Sequence, residues 1–305
     1  MAHLTILRTY AERVDPNTLP PTVKLCHSDF SVTIFDKYPK AYFHFILIPF
    51  IRPPLTAANL KDIRSLLQLP REQAKGLLRN IRRDALEAKA LIEEEMVKQR
   101  GFKWGIQMGF HAVPSLEYVP LELRHLQHIH LHIMSTEFRG EYMRSKKHLN
   151  SFHPTVGFFI HLDDVLSWFD PGVEPTWFAM KSDIDKKEYE KLLKEDMTCP
   201  GHCDKPFKTM PKLREHLREV FDSAAKASKA AKEAAASADV PVNGALEVNS
   251  TQKDDAEFVV GTKRKHGDAL DATSSQDADP PLSDAPHPAK KQATGSPSEH
   301  LPQDL

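Results

Sequence analysis

Three histidines at every second position, His128, His130 and His132 in HLQHIHLHIM (125–134), are the residues of this chain best suited to do chemistry. On a strand, residues two apart share a face, so the three imidazoles would line one side while Ile129, Leu131 and Ile133 fill the other; on a helix they would scatter. The β-branched and leucine partners favour the strand. Three uses fit this spacing: the polar face of an ordinary strand, a zinc site built on His-x-His, and attack on phosphorus by the central imidazole. In the last, the flanking rings hold the tautomer of the central one and donate to phosphate oxygens. Spacing alone does not separate metal from phosphate, but the surroundings favour phosphate. Asp36, Lys40 and His44 stand in FDKYPKAYFHF, His111 and Ser115 in GFHAVPS, and Lys146, Lys147 and His148 in MRSKKHLNSFHP. Lysines and a hydroxyl around histidines suit an anion better than a cation.

A second cluster lies in CPGHCDKPFKTMPKLREHL. Cys203, Phe207, Leu213 and His216 follow the spacing of the second half of a Cys2His2-type zinc finger, with Phe and Leu as its small core. The first half is irregular, because three residues rather than two separate Cys199 from Cys203, and His202 stands at the more usual gap. Val220 occupies the position of a final histidine or glutamate, and Glu219, one residue earlier, lies a helical turn from His216. A segment this short buries too little apolar area to hold itself together without metal, so a structural Zn2+ is expected. Lys205, Lys208, Lys212, Arg214 and Arg218 suit positioning on nucleic-acid phosphates rather than reading of bases.

These residues need elements to position them. FSVTIFDKYPKAYFHFILIPF (30–50) reads as strand, turn, strand. In PREQAKGLLRNIRRDALEAKALIEEEMVKQRG, Leu78, Ile81, Ala85, Ala88, Ile92 and Met96 recur at three- and four-residue steps between Pro70 and Gly101, the pattern of a long amphipathic helix with start and stop signals. KWGIQMGFHAV and HIHLHIMS read as strands, and GFFIHLDDVLSWF as a strand leading into a short helix. The expected fold is α+β: an antiparallel sheet with one long helix, then a small zinc-finger module and a disordered tail. The expected domains are an N-terminal extension (1–25), a catalytic domain (26–175), a charged connector (176–198), the finger (199–222), and an Ala/Lys stretch and tail (223–305). The Ala/Lys stretch has helical composition but no stripe of large apolar residues to dock.

The chain of 305 residues is 40% hydrophobic, enough for one core and a smaller module. No apolar run reaches the length of a membrane span, and the N-terminus meets charge too early for a secretory signal, so a soluble intracellular protein is expected. Only three cysteines are present, two of them near a histidine, which points to metal in a reducing compartment rather than disulfides. Of 41 Lys and Arg and 42 Asp and Glu, nine and thirteen lie from residue 223 onward, so the preceding part is slightly basic and compatible with nucleic acid. KRK (263–265) and KK (290–291) predict nuclear import.

His-φ-His-φ-His-φ-φ over His128 to Met134 resembles the signature of the histidine-triad nucleotide hydrolases and transferases. DKYPKA, GFHAVPS and KKHLNSF resemble the aprataxin branch in particular, the DNA 5′-adenylate hydrolases, over roughly residues 30 to 222. The type resembled is the fungal one, without a forkhead-associated domain, for which the N-terminal extension is too short. The resemblance implies a histidine-triad fold in which His130 takes AMP from a 5′-adenylated DNA end, leaving a 5′-phosphate, and water then frees the AMP. His128 and His132 would support it. Asp36 would bind the ribose, His44, His111 and Ser115 would complete the nucleotide pocket, and Lys40, Lys146, Lys147, Lys208, Lys212 and Arg214 would contact DNA. Cys199, Cys203, His216 and Glu219 would hold zinc, with no metal in the catalytic site. The implied partners are nicked or broken DNA with 5′-adenylate ends and the AMP product, with no membrane and a monomeric state, in the nucleus. A general nucleoside phosphoramidase and an inactive DNA-binding adaptor are the alternatives. In this chain LEYVPLELRHLQ separates Ser115 from His128, longer than in the family. With flanking pairing kept it bulges outward; a shift of one residue would turn every histidine to the other face.

Overall fold

The computed structural model describes residues 6–114, 127–201 and 203–238; Ser115, most of the inserted segment, His202 and the tail with its basic clusters lie outside them. Six strands form one antiparallel sheet: β1 (Lys24–His27), β2 (Ser31–Phe35), β3 (His44–Pro49), β4 (Ile106–His111), β5 (Leu131–Ser135) and β6 (Phe159–His161), in the order β1-β2-β3-β5-β4-β6. The expected strand, turn, strand of 30–50 is the β2–β3 hairpin, with Ser31 opposite Pro49 and Phe35 opposite Phe45. The expected histidine strand begins three residues later than its pattern suggested. His128 to His130 are extended but outside the ladder, and among them Ile129 bonds instead to the Leu60 carbonyl.

Register sorts the sheet into two faces, because residues paired across antiparallel strands project to the same side. Phe45, Leu47, Leu131, Ile133, Phe110 and Ile160 lie on one side and share a core with α2 (Ile63–Leu67) and α3 (Arg71–Arg100). The six residues predicted to form the apolar stripe of α3 are all buried there, and Gly101, at φ 79°, ends the helix in the left-handed conformation that glycine adopts without strain. Asp84 is the one buried charge on that helix; it accepts from the Ser28 and Ser31 hydroxyls at 2.5 and 2.7 Å and pairs with Arg83, which ties the β1–β2 turn to α3.

The other face carries Val32, Ile34, Ile46, Ile48, His44, His132, Met134, Gly109 and His111. Over β2 and β3 it is covered by α1 (Ile6–Ala11), whose Ala11 joins Val32, Ile34, Ile46 and Ile48. At the other end it is covered by α4 (Lys146–Phe152), by the two-stranded hairpin of β7 (Met197–Thr198) and β8 (Pro206–Phe207), and by the long last helix, which follows α5 (Leu162–Ser167), α6 (Pro175–Ser182) and α7 (Lys186–Leu192) and is α8 (Met210–Ala238). Met134, Phe138, Met143, Leu149, Phe152 and Phe159 form one cluster with Met197, Cys199, Leu213 and Leu217. The finger segment therefore shares its core with the sheet.

Two further ties fix this junction. Asn150 Nδ2 donates to the carbonyls of Leu192, Leu193 and Glu195, closing the C-terminal turn of α7, and His153 Nε2 meets Thr198 Oγ1 at 3.0 Å. The Ala/Lys stretch continues α8 to residue 238, as its helix propensity allows. It begins on a docked turn in which the Phe221 ring packs against Phe102, Trp104 and Tyr42.

Gly140 matters for the site through proximity. A Cβ there would lie 2.3 to 2.4 Å from backbone atoms of Pro39, Lys40 and Ala41, and the Gly140 and Tyr142 N–H groups donate to the Lys40 and Pro39 carbonyls. Gly140→Ala is expected to cost about 1–3 kcal/mol by overpacking and to displace the turn that carries Asp36 and Lys40. Urea denaturation measures the first effect, and histidine nitrogen NMR the second, through loss of the bond from the Lys40 N–H to His44 Nδ1.

Candidate active site

The histidines occupy the gap between the two apolar clusters on the second face. His132, on β5 opposite Ile46 and Gly109, lies in ring contact with His44 (5.2 Å), His111 (4.5 Å) and His130 (4.8 Å). His44, His111, His130 and His132 are thus brought together from β3, β4, β5 and the segment before β5, while Ser115, expected beside them, lies outside the described residues. The register is the one that keeps the histidines out of the main core, so the long connection before His128 has not turned them over.

The hydrogen bonds fix which ring nitrogen carries a proton. The Lys40 backbone N–H donates to His44 Nδ1 at 3.1 Å, so His44 holds its proton on Nε2 and donates it to His132 Nδ1 at 3.0 Å. His132 then carries its own proton on Nε2, which is buried without a partner. His128 Nε2 faces the Pro49 carbonyl at 2.7 Å and must donate, which leaves its unpartnered Nδ1 a lone pair. His130 Nδ1 faces the His128 carbonyl at 3.0 Å, so it too donates, and the His130 Nε2 lone pair is free to act as a nucleophile. Among the described residues, His111 Nε2 is a third buried ring nitrogen with no partner.

Burial sets the electrostatics. It holds the pKa of His44 down at about 4, against the pull of Asp36, and that of His128 at about 4, against its bond to Pro49. Burial, then the neighbouring imidazoles, holds His111 and His132 well below the ordinary histidine value, and burial also lowers His130. Lys40 is lowered by burial and supported by Asp36. At neutral pH the site is a set of uncharged imidazoles beside one lysine, with buried ring nitrogens on His111, His128 and His132 that no described residue satisfies.

Asp36 ends the β2 side of the hairpin; one oxygen accepts from the Tyr38 N–H at 2.7 Å and the other lies 3.4 Å from His44 Nε2. Asp36, His44 and His132 bring ligand-type atoms within 4.8 Å of one another, with His44 Nε2 already bonded to His132 Nδ1 and 3.4 Å from an Asp36 oxygen. Lys40, expected on DNA, sits at the pocket with its ammonium on the Tyr38 carbonyl and near the Phe152 ring. Lys146 is held by Asp196 and the Lys194 carbonyl, while Lys147 is half-buried on the same turn of α4.

Cys199, Cys203 and His216 bring their ligand atoms within 4.8 Å of one another, with Cys203 Sγ 3.3 Å from His216 Nε2. A tetrahedral zinc ion spaces its sulfur and nitrogen ligands by roughly 3.5 Å, so these three fit one. Glu219 is exposed and outside the cluster. Lys205, Lys208, Lys212, Arg214 and Arg218 are exposed on the same segment. Sequence reasoning did not single out Phe152. Its ring touches His44, His111 and His132, yet as one apolar residue at the end of KKHLNSF it carries no periodic signal, and only the fold brings it there.

Comparison with known proteins agrees with this architecture. Residues 10–148 match the family described as scavenger mRNA decapping enzyme C-term binding, and residues 155–223 the C2HE / C2H2 / C2HC zinc-binding finger. The chain is 30% identical over 201 residues to aprataxin of Danio rerio, covering 65% of this chain and 49% of that protein. It is 27% identical over 201 residues to an aprataxin-like protein of Schizosaccharomyces pombe, covering 64% and 73%. It spans about half the length of the first of these relatives. A solved structure, "Hnt3 in complex with DNA and guanosine", has the same fold, with a TM-score of 0.50 at 22% identity over 72% of this chain and 95% of that one. The chain is thus similar in sequence to aprataxins and shares the fold of the Hnt3 structure. Its finger match and its Cys/Cys/His cluster together suggest zinc binding.

The lowered pKa values fix how stability depends on pH. An imidazole at about 4 when folded and about 6.5 when unfolded binds its proton more readily in the unfolded chain. Stability is therefore full above about pH 6.5 and falls as pH drops towards 4, by about 3 kcal/mol for each of His44 and His128. Denaturation midpoints measured from pH 8 to 4 are expected to stay level above 6.5 and then decline. His44→Gln should make that decline shallower.

Proposed function

We propose that this protein is a DNA 5′-adenylate hydrolase acting on abortive ligation ends in single-strand break repair. The reading rests on one observation: in a cluster of packed imidazoles, His130 keeps Nδ1 on the His128 carbonyl and so presents the Nε2 lone pair, 4.8 Å ring to ring from His132, whose buried Nε2–H has no partner among the described residues. His130 Nε2 attacks the adenylate phosphorus. A nitrogen–phosphorus bond forms, the bond to the DNA 5′-phosphate oxygen breaks, and a 5′-phosphate end departs. Water then attacks the same phosphorus, AMP leaves, and the imidazole is regenerated.

Donors that are already desolvated and oriented stabilise the charge that develops on the phosphoryl oxygens without reorganising. His132 Nε2–H and the Lys40 ammonium take that role, with His128 supporting His130 through its carbonyl. Asp36 takes the ribose hydroxyls, and His44, His111 and Ser115 complete the pocket. The attack needs no metal, because a neutral imidazole is both nucleophile and leaving group.

Cys199, Cys203 and His216 would hold a structural zinc ion, with Glu219, a helical turn from His216 but outside the cluster as it stands, turning inward to complete the set, and zinc bound there would cross-link the finger. Lys147, Lys208, Lys212 and Arg214 contact the backbone of nicked or broken DNA beside the end, with Lys146 behind them. Such contacts are independent of sequence, as break repair requires. The domain limits given by the sequence, a monomeric state away from membranes, and a nuclear location belong to the same reading, and DNA as the partner is supported by the name of the Hnt3 structure solved with DNA.

The test is incubation with a nicked duplex carrying a labelled 5′-adenylate and, separately, with a small AMP amide. Label is expected on the protein from the DNA substrate in preference, and His130→Ala should reduce it by roughly a thousandfold or more. Equal use of both substrates would instead mark a general nucleoside phosphoramidase, and label from neither a DNA-binding adaptor. Cys203→Ala is expected to weaken DNA binding; unchanged affinity would remove the finger from the proposal.

A further inference from the structure

Phe152 stands where the finger core and the histidine cluster meet, in ring contact with three of the histidines. It is 3% exposed, at the end of α4. On one side its ring lies edge-to-face on His44 (5.2 Å, 89°) and His132 (4.9 Å, 86°), and against His111 at 4.5 Å. On the other it belongs to the cluster of Met197, Cys199, Leu213 and Leu217, which are the buried residues of the zinc-finger segment, and it packs on Phe159 at 5.9 Å. Its carbonyl accepts from Gln107 Nε2 at 2.9 Å, which pins its backbone to β4.

We infer that Phe152 is a positioning residue that couples the finger to the active site, its ring setting the orientation of His44, His111 and His132 while its own position is set by the finger's core. The physical reason is packing. The edge of an aromatic ring prefers the π-face of its neighbour, so one ring wedged among three imidazoles restricts their rotation. A close-packed interior passes a shift of one face to the other, because it has few voids to absorb it. Cys199 is both a candidate zinc ligand and a member of that core, 1% exposed, so a change in its position is passed on through the packed cluster it shares with Phe152. The finger would then do more than hold DNA: its metal would keep the imidazoles aligned.

The catalytic arm of the test rests on the function proposed above; a second arm does not. Slow deuterium exchange at the ring carbon of each histidine, read by mass spectrometry on the full chain, reports how ordered and desolvated each imidazole is. Phe152→Leu is expected to speed exchange several-fold at His44 and His111 and leave the exposed His27 unchanged. On adenylated DNA it should lower kcat by roughly 10- to 100-fold, the scale of a small misplacement of reacting groups, with KM within about twofold, and Phe152→Tyr, which keeps the ring, should recover most of kcat. Removing zinc from the wild-type finger with a chelator should speed exchange at the same two histidines. A folded Phe152→Leu protein with wild-type exchange and kcat would overturn the inference. So would a metal-free wild type that loses DNA affinity while exchange at His44 and His111 stays as before, and this arm decides the matter if Phe152→Leu does not fold. A wild type without activity on adenylated DNA would sink the function proposed above and leave the exchange measurement to decide the coupling.

Discussion

Several imidazoles packed out of water on one face of a sheet are the constraint on which the rest of the structure turns. A buried charge is costly unless paired, and five histidines this close could not share several protons. Each is therefore kept neutral, and a neutral imidazole has one nitrogen that must donate and one that must accept. The Lys40 N–H and the carbonyls of Pro49 and His128 decide which is which. The chain of bonds that begins at Lys40 ends in an inward-facing donor on His132, and the bond from His130 to the His128 carbonyl leaves a lone pair on the nitrogen across from it. Backbone geometry thus assigns opposite roles to chemically identical side chains.

Maintaining that arrangement explains the elements around it. The main core, between the sheet and α3, is ordinary apolar packing, and it fixes the strands rather than the chemistry. The histidine face is sealed from two ends, by α1 over β2 and β3 and by α4 with the finger over β4 and β6, and the imidazoles lie in the seam. The close contact of Gly140 with Lys40 and Ala41 holds the turn that supplies both Asp36 and the N–H donor to His44. Without a packed finger, one wall of the seam would be missing.

Much of this was legible in the sequence, and the parts that were not share a cause. The stripe on α3, the β2–β3 hairpin and the zinc-finger spacing are local patterns, set by helix and strand periods within one segment. The alternation of His128, His130 and His132 with apolar residues gave the right face, although only His132 lies within the ladder. His128 and His130 hold the same orientation through bonds to Pro49 and to the His128 carbonyl, which no period records. Lys146 illustrates the reverse. Its type and neighbourhood suggested DNA, and the fold brings Asp196 from fifty residues away to hold it. Phe152 escaped for the same reason: its importance lies in contacts with β3, β4, β5 and the finger, all distant in the chain. The helical continuation of α8 was readable from composition, but its anchorage through Phe221 on Trp104 and Tyr42 was not.

The most direct measurement of the central claim is nitrogen NMR of the imidazoles in protein labelled at histidine, recorded at pH 7 and then at lower pH. Neutral rings are expected for His44, His111, His128, His130 and His132 at pH 7, with the proton on Nε2 in His44, His128 and His132 and on Nδ1 in His130. A charged imidazolium at His132 or His130 at that pH, or the opposite tautomer at His130, would contradict the account, because the nucleophilic lone pair would then be absent or turned away from the pocket.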